Sequence, residues 1–168
     1  MANLRLGFAA CIILITLSVH DNLAFAGDQP NYGGKYSLKS RHPKPDADIE
    51  VVQTANSVDV TTAENGNRTT NHYPLDGSQA DCARPGAEQV KCAAHFKGNE
   101  LVLEQTFLTR TELADATRVH REEHWHLSAD KKKLRIAGHF EFLRPPTIRG
   151  IIDPKDYTRI DDHWISPL

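Results

Sequence analysis

The sequence predicts an all-β chain, a single antiparallel meander closed into a small barrel of about eight to ten strands. Three observations carry that expectation. Between Ala116 and Phe142, apolar and polar residues alternate on both sides of a polar turn. Elsewhere, short runs rich in β-branched and aromatic residues are separated by Gly, Asn, Asp and Pro at close intervals. Finally, no stretch keeps a 3.6-residue period over the length a helix needs, a weak candidate turn at Thr111–Thr117 aside.

The first of these is the most informative. Val119, Arg121, Glu123, Trp125 and Leu127 occupy every second position, Ser128 to Lys133 form a polar turn, and Leu134, Ile136, Gly138, Phe140 and Phe142 resume the alternation. Such a pattern is a long antiparallel hairpin with one face buried. Side chains facing each other across it are expected to form one wall of the interior. Gly138 interrupts the apolar row and is expected to leave a gap for a neighbouring ring or a ligand.

At the front of the chain, Arg5, the apolar run Ala9–Val19 and Ala24-Phe25-Ala26 have the form of a cleaved signal peptide over residues 1–26. The run is shorter than the roughly 20 residues of a membrane-spanning helix. Cys11 opens the run rather than following it, which excludes a lipid-anchored cysteine. Residues 27–143 then read as the barrel domain and 144–168 as a proline-containing tail that supplies a closing strand near Tyr157–Ile160. Of the three cysteines, Cys82 and Cys92 remain in the mature chain. An even pair in an exported protein reads as a disulfide, here spanning the Arg84-Pro85-Gly86 turn. The expected location is periplasmic or extracellular.

In order, Asp28–Gly33 reads as a polar leader and Lys35–Leu38 as the first strand, with a proline-rich loop at Arg41–Asp46. Ile49–Thr54 and Ser57–Thr62 follow, joined through Ala55-Asn56. Asn65-Gly66 is the strongest short hairpin signal in the chain, returning Arg68–Tyr73. Pro74-Leu75-Asp76-Gly77 turns again. Gln89–Phe96 and Glu100–Leu108 form the next pair, around Lys97-Gly98-Asn99. An antiparallel set of this size removes its exposed edges by closing on itself.

These residues resemble the small exported lipocalin-like proteins of bacteria. Gly34-Lys35-Tyr36-Ser37-Leu38, Ile49-Glu50-Val51-Val52-Gln53, Tyr73-Pro74-Leu75-Asp76-Gly77 and Leu127-Ser128-Ala129-Asp130-Lys131-Lys132-Lys133-Leu134 are similar to that group's opening strand, turn and hairpin. The similarity covers roughly Gly33 to Phe142. Tyr36 stands where tryptophan is usual, Lys132 is read in place of the turn glycine, and the tail from Arg144 has no counterpart. The resemblance implies a small β-barrel and no particular activity.

Two sets of residues are candidates for function. Inside the barrel, Tyr36, Tyr73, Arg121, Glu123, Trp125 and Phe140 are expected to line a site for a small, mostly apolar molecule, with the Arg–Glu pair orienting a headgroup. On the opposite face, His120, Glu122, His124 and His126 project together. With Trp125 in the core they form a polar outer stripe. The alternative is a metal site of His120, His124, His126 and His139, because imidazoles two apart on a strand suit zinc, copper or nickel. Arg118 and Asp130 stand where cupin-type metal barrels want glycine and glutamate.

Other classes are disfavoured. The chain has a formal net charge of -2, and its one basic run, Lys131-Lys132-Lys133, sits at a hairpin tip, so the footprint of a nucleic-acid binder is missing. No nucleophile elbow, phosphate loop or nucleotide fingerprint is present. Asn67-Arg68-Thr69 matches a glycosylation acceptor where the host modifies exported chains. No cofactor is expected. The sequence therefore points to a non-enzymatic binding barrel. A metal-binding protein is the alternative, and a structural or interaction module using the tail is a third reading.

Overall fold

The computed structural model describes residues 29–38, 48–64, 67–111, 114–144 and 146–160. The expected signal segment, the core of the proline-rich loop and Trp164 lie outside the described residues. Ten strands form one antiparallel sheet: β1 (Gly34–Leu38), β2 (Asp48–Gln53), β3 (Ser57–Glu64), β4 (Asn67–Pro74), β5 (Ala80–Asp81), β6 (Ala87–Lys97), β7 (Glu100–Thr111), β8 (Ala114–Leu127), β9 (Lys133–Phe142) and β10 (Ile148–Ile160). Their order across the sheet is β4-β3-β2-β1-β10-β9-β8-β7-β6-β5. Every neighbour is also a neighbour in sequence except β1 and β10, the two ends of the chain. The sheet curls into a nearly closed barrel whose seam falls between β4 and β5. Among the described residues, no helix is long and apolar enough to cross a membrane.

Local chemistry explains the turns. Thr54 Oγ1 accepts the backbone N–H groups of Asn56 and Ser57 at 3.2 and 3.0 Å, which tightens the β2–β3 turn. Glu64 and Asn67 are register partners, as an Asn-Gly loop between them requires. Pro85 precedes Gly86, whose φ is +73°, and Ala87 N–H returns to the Arg84 carbonyl at 3.1 Å. That is the residue order a type II turn needs. Asp153-Pro154 falls where the β9–β10 register shifts, a bulge that tolerates the missing proline donor.

Four expectations need correction. Thr111 and Ala114 are register partners of β7 and β8 and Ala114–Thr117 is strand, so the described part of the suspected helical turn is strand. The hairpin residue in the left-handed region is Lys131, with φ +58°, not Lys132. Ser128 N–H bonds the Lys133 carbonyl at 2.9 Å and Lys131 N–H bonds the Ser128 carbonyl at 2.8 Å, which forces that conformation. Gly138 leaves no gap: a Cβ there would lie 2.1 Å from the Glu122 carbonyl oxygen, so glycine is required for close approach of β8 and β9. The leader is not a mere leader either. Tyr32 is 0% exposed and seals one end of the barrel. Its hydroxyl lies 2.6 Å from the Trp125 carbonyl and 2.8 Å from that of Asn99, and its carbonyl accepts the Tyr36 hydroxyl at 2.7 Å.

The interior is built in two parts. At the sealed end Tyr32, Tyr36, Val51, Val58, Leu101, Trp125, Leu134 and Tyr157 belong to one buried cluster. At the other end Val90, Phe107 and Val119 form a smaller one, flanked by half-buried Phe140 and Phe142. The Cys82–Cys92 disulfide, with Cα atoms 6.0 Å apart, ties the segment after β5 to β6 along the seam.

The strained hairpin tip yields a test. A left-handed β-carbon costs roughly 1–2 kcal/mol, part of which glycine's greater unfolded freedom offsets. Lys131→Gly is expected to stabilise the protein by about 0.5–1 kcal/mol in urea denaturation, whereas Lys132→Gly is expected to gain nothing.

Candidate functional site

Strand parity places Arg121, Glu123 and Trp125 side by side on the inner face of β8. Arg121 Nε donates to Glu123 Oε1 at 3.0 Å, and Nη2 makes a second contact with the same oxygen. The other carboxylate oxygen accepts the Trp125 indole N–H at 3.0 Å. Across the barrel the Tyr73 hydroxyl accepts Gln105 Nε2–H at 2.8 Å, and Gln105 Oε1 accepts from Arg84 at 3.3 Å. Arg84 in turn lies over the Phe107 ring, 4.7 Å from its centroid. A polar layer thus separates the two apolar clusters.

Glu123 also acts on its neighbours through its charge. Burial raises the Tyr73 hydroxyl well above the ordinary tyrosine range, and the Glu123 carboxylate raises it further. Tyr157 is pushed up to about 12 by burial first and by Glu123 second. Both phenols therefore stay protonated and uncharged at neutral pH.

Of the six residues expected inside, Tyr73, Arg121, Glu123 and Trp125 converge, and Phe140 is the register partner of Arg121 on β9. Tyr36 is not among them: it lies in the sealed end, its hydroxyl committed to Tyr32. Gln105 and Tyr157 join the site unannounced. Gln105 does leave a trace in the sequence, as the polar interruption in the row Leu101, Leu103, Phe107. The ring pocket expected at Gly138 occurs one strand away, at Gly150. A Cβ at Gly150 would meet Phe140 Cζ at 2.1 Å, so the ring lies across that glycine.

On the outer face the β8–β9 register sets Glu122 opposite His139 and His124 opposite Ala137. Glu122, His124 and His139 each offer a ligand atom, and these atoms all lie within 4.8 Å of one another. His120 and His126 stand to either side. His120 Nε2 is 3.9 Å from both Glu104 and Glu122, while His126 Nε2 is 2.6 Å from Glu100. The stripe faces outward but is not freely solvated, since the side chains of His120 and His124 are 27% and 24% exposed and only His126 reaches 60%. Flanking side chains of β7 and β9 cover the rest.

No protein-family model matches the chain, and no curated protein matches it.

A raised tyrosine pKa is also a stability term. Below the ordinary value near 10, Tyr157 is protonated folded and unfolded, and its contribution is fully present. As pH climbs from 10 towards about 12, the unfolded chain loses the proton first and stability falls. Urea midpoints are expected to drop across that window, and the drop is expected to be shallower in Tyr157→Phe.

Proposed function

We propose that the protein is a non-enzymatic binding barrel that takes a small, mostly apolar, uncharged molecule into the end opposite Tyr32. The observation that carries this reading is the Arg121–Glu123 pair. The two side chains are 22% and 20% exposed, on the inner face of a strand, with half-buried Phe140 and Phe142 beside them. At the Tyr32 end, Tyr36, Leu101, Trp125 and Leu134 are 0–1% exposed, whereas these two keep contact with solvent. Phe140 and Phe142 pack edge to face with centroids 5.6 Å apart, offering apolar surface to a ligand body. The polar layer offers a headgroup both donors and acceptors. Because the Arg121 charge is already balanced by Glu123, a hydroxyl, carbonyl or amide fits better than a bare charge.

Binding has an internal reporter, the Trp125 indole on Glu123. In a Trp164→Phe background, the uncharged dye N-phenyl-1-naphthylamine is expected to bind saturably and alter Trp125 emission. Phe140→Ala and the paired Arg121→Met/Glu123→Gln variant are each expected to weaken it by about tenfold or more. Absence of saturable binding, or binding undiminished in both variants, sinks the reading.

Export belongs to the same proposal. The apolar run Ala9–Val19, the Ala24-Phe25-Ala26 cleavage form and the Cys82–Cys92 bridge support an oxidising compartment, periplasmic or extracellular. Kinship to the lipocalin-like exported barrels is supported by the turn sequences quoted above. Intact mass of protein recovered from that compartment is expected to begin at Gly27; retention of residues 1–26 excludes cleavage there.

A further inference from the structure

The outer face of the β8–β9 hairpin holds a cluster that the interior site does not use. We propose that Glu122, His124 and His139 form a binding site for one divalent cation of the zinc, nickel and copper class. The inference is independent of the ligand reading, because the three residues lie on the opposite face of the sheet from Arg121 and Glu123.

Two strands build the site. Glu122 and His139 are directly opposed, and His124 is the diagonal neighbour of His139, with rings 26° from parallel and centroids 6.4 Å apart. The residue facing His124 is Ala137, whose small side chain leaves room for the imidazole. Ligand atoms within 4.8 Å of one another need only modest side-chain rotation to reach the roughly 3.3 Å separation of ligands around a tetrahedral zinc. Two imidazoles and a carboxylate satisfy three positions and leave the fourth to water, a donor set that suits this class of cation.

The surroundings fit as well. His124 Nε2 faces Glu122 Oε1 at 2.7 Å, while its Nδ1 faces Glu100 Oε1 at 3.2 Å. A metal on Nε2 therefore has behind it a carboxylate on the far ring nitrogen, the arrangement that fixes tautomer and orientation at metal-bound histidines. Glu100 is a positioning residue in this assignment. Among the described residues, the ion-pair partners of Glu100, Glu104 and Glu122 are all histidines: His95, His120, His124 and His126. No lysine or arginine neutralises these carboxylates, which favours a cation at their centre. Val102, the register partner of His124 on β7, is 1% exposed and flanks the cluster with apolar surface. A metal on His124 Nε2 displaces any proton carried there to solvent.

The test uses the untagged mature chain, stripped with chelator and titrated with Zn2+. Calorimetry is expected to show one equivalent bound, with a rise in melting temperature. His139→Gln and His124→Gln are each expected to lower affinity by at least about tenfold, and Glu100→Gln by about 10–100-fold with a changed Co2+ visible spectrum. His72→Gln, on β4, serves as the control and is expected to leave affinity unchanged. Imidazole nitrogen NMR of the unsubstituted protein needs no variant: the ring resonances of His124 and His139 are expected to move first on adding Zn2+. Lack of saturable uptake below roughly 100 µM overturns the assignment. So does full affinity in both His124→Gln and His139→Gln, or early shifts confined to His120 and His126.

Discussion

When Trp125 turns inward beneath Tyr32 with its indole N–H on Glu123, every second side chain of β8 follows it. Parity on a strand is absolute, and a slip of one residue would exchange the whole inner row for the outer one. Burying the indole is worth several kcal/mol, more than any neighbouring polar contact offsets. The same constraint therefore places Val119, Arg121, Glu123 and Leu127 inside and sends His120, Glu122, His124 and His126 outside. Both candidate sites descend from that one choice.

Closure by the chain ends moves the weak point of the barrel elsewhere. β10 pairs with β1 on one side and β9 on the other, so the unpaired edges are β4 and β5. Exposed edges invite pairing with other chains. Here they are held by side chains instead of a backbone ladder. Ala83 N–H bonds Asn71 Oδ1 at 2.9 Å and Gln105 reaches Tyr73, both from beyond the seam to β4. Because Gln105 and Tyr73 also belong to the inner polar layer, the seam and the interior site share residues.

Much of this was legible in the sequence because it is local. The β8–β9 hairpin, the Asn-Gly turn signal and the disulfide each follow from residues near one another in the chain. What was not legible depends on distant contacts. Tyr32 sits in a stretch without periodicity, and only its meeting with Trp125 and Leu101 shows it to be a plug. β5 is two residues long and carries no pattern at all. β10 begins at Ile148, well before the short strand expected at Tyr157–Ile160, because Pro154 at its bulge disguises one strand as irregular tail. The outer cluster was half visible: the spacing from His120 to His126 is in the sequence, but the register that opposes His139 to Glu122 is a property of the folded hairpin.

The Arg121–Glu123 pair is the least economical feature of the interior. Desolvating two charges costs several kcal/mol, and a well-packed apolar pair in such a place is often neutral or more stable. The surrounding network does satisfy them: Glu123 meets Arg121 and Trp125, and among the described residues no buried side-chain nitrogen or oxygen lacks a partner. Satisfaction makes the pair tolerable without making it a source of stability. Leucines would complete the wall between the two apolar clusters with less desolvation. The binding role proposed for this pair gives a reason for keeping charge inside the barrel, beside Phe140, Tyr73 and Tyr157, that stability does not.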